Sequence, residues 1–173
     1  NTFFYPDEEV INRFNLPDEY LHPAMKSPRP LKSPLVTEED LDTKMILIPE
    51  NADDPALQQY IEYGEEEGID SGTTVSARDP WYDLSADTEK AKLFWQKAHY
   101  TKHIAYYSEK PFYLDQQFYG IESHGEIDEK LLAAILNSSY YALMKILYGR
   151  EMSGRSIKAA VYEVAKFPVP HPD

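Results

Sequence analysis

The region from Asp128 to Tyr148 constrains the fold of this 173-residue chain more than any other part of it. Asp128 and Glu129 favour the start of a helix, because acidic side chains stabilise the positive end of the helix dipole, and Gly149 can end it. Asn137-Ser138-Ser139 can cap a second helix, so one kinked helix and two separate helices both fit the sequence. Apolar residues at helical spacing predict a broad stripe that packs on a core, formed by Leu132, Ile135, Leu136, Tyr140, Leu143, Met144 and Leu147.

The first 35 residues are rich in proline. Proline lacks an amide donor and biases the preceding residue away from helix, so we expect an extended segment with at most short helical turns. The prolines are Pro6, Pro17, Pro23, Pro28, Pro30 and Pro34.

Regular structure is predicted to begin after this segment. Thr37-Glu-Glu-Asp40 can form one helical turn, and Met45-Ile-Leu-Ile48 is typical of a short buried strand. Asp53-Asp54-Pro55 favours the start of a helix, since proline fits the first turn. The expected buried positions of that helix are Leu57, Tyr60, Ile61 and Gly64.

The second half of the chain contains short aromatic and β-branched runs that predict strands. Turns are expected at Ser108-Glu-Lys-Pro111 and Asp115-Gln116, and one helical turn is expected after the last strand. The predicted strands are Leu93–Trp95, with the strand beginning near Leu93, then His103–Tyr107, Phe112–Leu114, Phe118–Ile121 and Ile157–Val161.

These patterns together predict an α+β fold. We expect short, mostly antiparallel strands, an apolar C-terminal helix region and an extended proline-rich N-terminal segment. A length of 173 residues with 42% hydrophobic content fits one domain with a real core. Its expected parts are the extended lead-in 1–42, an acidic strand and helix part 43–76, and a core part 77–173.

The net charge of −13 is unevenly distributed. Residues 1–80 hold 18 acidic and 6 basic residues, whereas residues 81–173 hold 12 and 11. Five lysines and His103 lie between Lys90 and Lys110, against Glu109 as the one acidic residue there. Such a cluster is either a solvated face or a set of phosphate contacts.

Several functional classes are disfavoured. The chain has no cysteine and no His-Glu-x-x-His motif, so we predict no metal site. There is no phosphate-binding loop and no Gly-rich dinucleotide motif, so we predict no cofactor site. No apolar run approaches the roughly 20 residues of a membrane span, and no export signal is visible, so we expect a cytoplasmic location without a membrane partner. The first residue is not Met, which suggests a piece of a larger protein.

Three segments remain as candidate binding sites. Arg78-Asp-Pro-Trp81-Tyr82 could present an arginine fork beside aromatic faces, or its aromatics could belong to the core. Lys102-His103 leads into aromatic residues on a predicted strand, and is alternatively an ordinary surface. Gly149-Arg150 to Arg155-Ser156 is a predicted flexible loop that brings two arginines near a phosphate, or a plain connection.

Taken in order, the motifs resemble the C-terminal target-recognition region of N6-adenine-specific DNA methyltransferases of restriction–modification and related systems, of the TaqI-like specificity type. The resemblance covers about Arg78 to Pro172 and extends more weakly to Tyr20-Leu-x-Pro23 and Pro28-Arg-Pro-Leu-Lys32. It is carried by Arg78-x-x-Trp81-Tyr82, Lys102-His103, Phe118-Tyr-Gly-Ile121, Leu132-x-x-x-Leu136-Asn-Ser-Ser139, Gly149-Arg150, Val161-Tyr-Glu-Val164 and Pro168-Val-Pro170.

The resemblance implies a larger parent enzyme. A missing N-terminal catalytic domain would bind S-adenosylmethionine and methylate a flipped adenine. This chain has no Asn-Pro-Pro-Tyr motif, so no catalytic residue is assigned to it. It would act as a single target-recognition domain on duplex DNA, beside the parent's catalytic domain and possible further restriction–modification subunits. The expected nucleic-acid-binding residues are Arg29, Lys32, Arg78, Trp81, Lys102, His103, Arg150 and Arg155.

A second reading is a docking module of a restriction–modification or phage-defence complex that makes no direct DNA contact. In that case the acidic half would be the docking face.

Overall fold

The computed structural model describes residues 2–100, 102–125 and 127–169, which form two compact units. Unit 1 comprises Asn1–Ala24 and Leu41–Thr88, and unit 2 comprises Met25–Asp40 and Glu89–Asp173. Both helices and strands are present, and the extended strand pairs are antiparallel, which confirms the predicted α+β class.

Unit 1 begins with a helix where an extended segment was expected. Helix α1 spans Glu8–Phe14, because Asp7 accepts a hydrogen bond from the Val10 amide and no proline interrupts the two turns that follow. The expectation of at most short turns in this proline-rich segment was therefore wrong. Strand β1 (Leu21–Met25) pairs with β2 (Lys44–Ile46), whose Met45 and Ile46 are buried as predicted.

Helix α2 (Pro55–Glu66) starts where the sequence indicated. Asp54 caps it by accepting from the amides of Ala56 and Leu57, and its four predicted inward positions are all buried. The Tyr60 ring stacks on Phe3 at 4.4 Å between centroids, and its hydroxyl donates to the Phe3 carbonyl oxygen at 2.7 Å. Aromatic packing of this kind forms the core of unit 1.

Unit 2 contains a three-stranded antiparallel sheet in the order β5–β3–β6, with β3 at Lys90–Gln96, β5 at Ala105–Leu114 and β6 at Phe118–Ile121. Strand β3 begins three residues before the predicted Leu93. Strand β5 continues through Ser108–Pro111, where a turn was expected. Residues Ser108–Pro111 form a bulge in β5. Ala91 of β3 lies opposite Phe112, whereas Leu93, two residues later, lies opposite Tyr107, so the residues between Tyr107 and Phe112 have no regular partner on β3. Residues 34–36 run beside Tyr107 of β5. The helical turn predicted from the sequence comes directly after them and spans Glu38–Asp40.

The apolar C-terminal region forms two helices, α3 (Glu129–Leu136) and α4 (Ser139–Tyr148). Asp128 caps α3 as predicted. The side-chain amide of Asn137 donates to the Ala105 and Ala133 carbonyl oxygens and accepts from the Ala105 amide, which ties the break between the helices to β5. Among the described residues no single helix is long and apolar enough to cross a membrane, and α3 and α4 meet that requirement only together, across a 66° bend.

The predicted loop after α4 is a β-hairpin. Strand β7 (Arg150–Met152) and strand β8 (Ser156–Lys158) are joined by a 3-10 turn, and β8 also pairs with β4 (Ala98–His99). The expectation of a flexible loop here was wrong, because the three residues of β7 pair in register with the three residues of β8. Helix α5 (Val161–Val164) follows as the predicted helical turn.

We predict that Gly64→Ala destabilises unit 1. Alanine normally stabilises a helix interior relative to glycine by about 1 kcal/mol. At Gly64, however, an added Cβ would lie 2.5 Å from the Trp81 ring and 2.6 Å from the Phe3 ring, so overpacking should lower the free energy of unfolding by about 1–3 kcal/mol. Urea denaturation measures the change.

The matched control is Gly125→Ala, since a Cβ there meets no described atom within 4 Å. Equal stability of the two variants would contradict the packing of Trp81 against α2.

Candidate nucleic-acid interface

The tip of the β7–β8 hairpin lies beside an exposed tyrosine ring. A Cβ built on Gly154 would lie 3.9 Å from the Tyr100 ring, so the tip rests beside the segment that leaves β4. Tyr100 is 69% exposed, and two exposed cations lie close to this contact in sequence, Lys102 two residues after Tyr100 and Arg155 directly after Gly154. We name Tyr100, Lys102 and Arg155 the hairpin-tip cluster.

The backbone of the hairpin tip is left-handed at two successive residues. Gly154 has φ 79° and Arg155 has φ 64°. Glycine adopts this conformation freely, whereas an arginine does so at a cost of about 1 kcal/mol, a cost that recurs at binding sites. The turn places the backbone of Gly154, which precedes Arg155, beside the exposed Tyr100 ring.

Arg150 lies at the other end of β7 and has an internal partner. Its Nε is 2.8 Å from Oε1 of Glu163, a residue with its side chain only 6% exposed, and its guanidinium lies over the Tyr162 ring at 5.6 Å. The second Glu163 oxygen accepts from the Ala160 amide at 2.6 Å. Arg150 therefore neutralises a buried carboxylate while about half of its own side chain remains exposed.

His103 belongs to a buried basic group rather than to an exposed charged surface. Its Nε2 lies 3.1 Å from the Leu136 carbonyl oxygen and therefore carries the proton, and its ring packs edge-on against Trp95 at 4.9 Å. Burial lowers the pKa of His103 to about 4, with the neighbouring Lys145 amine as a second cause. His99 has the same shift for the same reasons, so both rings are neutral at pH 7.

Lys145 lies at the centre of this group. It is 1% exposed, its Nζ donates to the Gln96 carbonyl oxygen at 2.7 Å, and the amine lies 4.9 Å from the Trp95 ring centre. Burial lowers the pKa of Lys145 to about 7, because no carboxylate compensates for the lost water.

Arg78 and Trp81 make internal contacts of unit 1. The Arg78 guanidinium pairs with Asp87 and lies over the Phe4 ring, and its side chain is 13% exposed. Trp81 packs on Phe3 at 4.9 Å and donates its indole N–H to Glu65 at 3.3 Å. Their surroundings match the core alternative that the sequence left open.

Arg29 and Lys32 are exposed on the segment of unit 2 that precedes the pairing with β5. They lie in the loop between β1 and the turn Glu38–Asp40, not on the hairpin. Four predicted residues are exposed cations, Arg29, Lys32, Lys102 and Arg155, and the last two lie close in sequence to the contact between Tyr100 and Gly154.

Charge separates more sharply between the units than along the sequence. Unit 1 carries 17 acidic and 3 basic residues, a net charge of −14, whereas unit 2 carries 13 and 14, a net charge of +1. The cause is the segment 81–88, which brings Asp83 and Asp87 into unit 1, whereas the segment 25–40 adds equal numbers of basic and acidic residues to unit 2. Phosphate would therefore be repelled by unit 1 and tolerated by unit 2.

Two residues of interest were not found from the sequence. Tyr100 is one aromatic among 14 tyrosines, and only the pairing of β4 with β8 places it at the tip. Lys145 is the one charged residue of α4, and nothing in the residues around it in sequence marks it as buried. Within the ranges that the structure describes, no three His, Asp or Glu side chains are arranged to hold a metal ion.

We predict that the chain becomes more stable from pH 7 to about 9.5. Over this range an unfolded chain keeps the Lys145 proton that the folded chain has lost, so raising the pH favours the folded state by up to about 1.4 kcal/mol per pH unit. Urea denaturation across this range should show the rise, and Lys145→Met should abolish it.

Lys166→Met, which removes an exposed lysine, is the control and should keep the rise. A rise that persists in Lys145→Met would contradict a buried, largely neutral amine.

Known proteins resemble this chain at the level of both sequence and fold. It is 26% identical over 102 residues to the Type II methyltransferase M.AccI of Acinetobacter calcoaceticus, which covers 55% of the chain and 18% of that enzyme. Its fold matches part of the type IIG restriction endonuclease BpuSI with a TM-score of 0.66 and 12% identity, covering 99% of the chain and 22% of BpuSI. The chain thus spans less than a quarter of the length of either relative. The model of the C-terminal domain of the Type II methyltransferase M.Eco57I matches residues 1–173, so the chain belongs to this family of Type II methyltransferase C-terminal domains.

Proposed function

We propose that this chain is the DNA-sequence recognition module of an adenine-specific DNA N6-methyltransferase, as a single target-recognition domain. In that enzyme a preceding catalytic domain binds S-adenosylmethionine and transfers the methyl group. Family membership supports the parent activity. The hairpin-tip cluster is the observation that supports the recognition role, since the exposed cations Lys102 and Arg155 flank in sequence the contact between Gly154 and the exposed Tyr100 ring, on the less acidic unit.

The chemistry of the cluster suits a nucleic acid. Lys102 and Arg155 can neutralise phosphates, and the Arg155 guanidinium can alternatively bind the O6 and N7 atoms of guanine. Tyr100 offers a ring for stacking or for contact with a sugar. The β7–β8 hairpin is a two-stranded ribbon, an element that the major groove of B-form DNA admits.

The other predicted residues divide by their surroundings. Arg29 and Lys32 are exposed and can add phosphate contacts, and the exposed half of Arg150 can do the same. His103 is neutral at pH 7 and would contribute no charge. Arg78 and Trp81 contribute to DNA binding in this proposal only through the packing of unit 1.

The acidic unit 1 has a separate task in this arrangement. With a net charge of −14 it disfavours contact with a phosphate backbone, so it faces away from DNA or contacts the catalytic domain or another subunit of the system. A module that reads bacterial DNA works in the cytoplasm.

We predict that Lys102→Ala combined with Arg155→Ala weakens the binding of duplex DNA by the full-length enzyme. Loss of two phosphate contacts should lower the slope of log K against log salt by about two and weaken binding about tenfold at 0.1 M salt. Fluorescence anisotropy with labelled duplex DNA between 0.05 and ~0.3 M salt measures both quantities.

Lys44→Ala is the matched control, since Lys44 is a partly exposed cation of unit 1 that pairs with Glu8. An unchanged salt slope in the double variant would remove the hairpin-tip cluster from the interface.

The target base has its own test. We predict that the full-length enzyme, supplied with S-adenosylmethionine and duplex DNA, produces N6-methyladenine, which mass spectrometry of the digested DNA identifies. Methylcytosine as the product would refute the adenine assignment and leave the recognition role intact.

A second candidate function is a docking module without direct DNA contact, which the strong negative charge of unit 1 favours. The two functions differ in salt dependence, because phosphate contacts give a steep loss of affinity with salt and a docking module gives no DNA binding that depends on this chain.

A further inference from the structure

Helix α4 has an inverted distribution of polar and apolar side chains. Its one charged residue, Lys145, is 1% exposed, whereas Leu147 is 63% exposed. Tyr140, Leu143 and Ile146 are also exposed, at 46%, 49% and 56%. Positions 140, 143, 146 and 147 share one side of a helix, and we name them the α4 apolar face.

The rotation of α4 is fixed from its other side. The Lys145 amine donates to the Gln96 carbonyl oxygen, and the Tyr141 hydroxyl donates to the carbonyl oxygen of Pro168. Tyr141 and Lys145 are four residues apart and therefore point in the same direction. Turning the leucines inward would break both hydrogen bonds and expose the Trp95 contact, so the α4 apolar face stays outward in this fold.

We propose that the α4 apolar face binds the part of the methyltransferase polypeptide that precedes this C-terminal domain, through an apolar groove on that part. This inference rests on the proposed function only in assuming a larger methyltransferase that contains this chain.

Three observations support this occupant. The family is one of C-terminal domains, and the chain covers 18% and 22% of two longer relatives, so most of such a polypeptide lies outside the residues described. The face carries no charge, which disfavours a phosphate backbone as its partner. Its anchors recur at helical spacing, the pattern by which an amphipathic helix fills an apolar groove.

The face also differs from scattered surface residues. Single exposed apolar side chains are ordinary, but contiguous groups mark interaction sites. Helix α5, which packs near α4, adds the exposed Val161 and Tyr162.

The test is site-specific photo-crosslinking in the full-length enzyme without DNA. The photoreactive amino acid p-benzoylphenylalanine replaces Leu147 in one variant and Leu143 in a second, so that a folding failure of either leaves the other. Leu35, which is 57% exposed elsewhere in unit 2, is replaced in the control. Mass spectrometry then locates the crosslinks.

We predict crosslinks within one polypeptide from positions 147 and 143 to residues that precede the C-terminal domain, at a yield at least about tenfold above that of the Leu35 control. A product of twice the mass would assign the face to a second copy and overturn the proposal, as would crosslinks confined to the C-terminal domain. Crosslinks to DNA when duplex is added would likewise overturn it. The loss of DNA affinity in the hairpin-tip variants is measured separately, so either proposal can fail alone.

Discussion

The buried amine of Lys145 is the interaction on which the arrangement of unit 2 depends. It joins helix α4 to the end of β3 through the Gln96 carbonyl oxygen and lies against Trp95, a central residue of the core. Burying an amine without a carboxylate is costly, and the lowered pKa expresses that cost. The contact sets the rotation of α4, and that rotation decides which apolar side chains face outward.

The buried group around Lys145 also explains why the charged groups that could bind a ligand lie outside this group and not within it. His99 and His103 line the buried side of this group as neutral rings, so they support packing and carry no charge at pH 7. The predicted cations that are exposed to a ligand lie on the hairpin, on the segment that follows β4 and in the segment 25–40. The sheet β4–β8–β7 therefore contributes both to the core and to the candidate interface. Ser156 on β8 is buried, whereas its neighbour Arg155 is exposed.

The two units differ in what they can contact. Unit 1 concentrates the acidic residues around an aromatic core, and the predicted Arg78 and Trp81 are used in that core. Unit 2 is nearly neutral because its 13 acidic and 14 basic residues balance, while the acidic residues Asp83 and Asp87 belong to unit 1. A protein whose total charge argues against DNA binding can therefore still contain a surface on which phosphate is tolerated.

The sequence by itself determined the helices at Pro55–Glu66 and after Asp128, their acidic caps, the strand at Phe118–Ile121 and the α+β class, because these follow from local hydrogen bonding and from the spacing of apolar side chains. The family-specific motifs were also readable along the chain, and the match to the methyltransferase C-terminal domain confirmed them. Only the tertiary structure decided that Ser108–Pro111 bulges within one strand, that Gly149–Ser156 is a hairpin, that Tyr100 lies beside Gly154, and that Lys145 points inward while Leu147 points outward. Each of these depends on partners far apart in sequence, and a local pattern of residue types cannot specify which strand or helix will supply them.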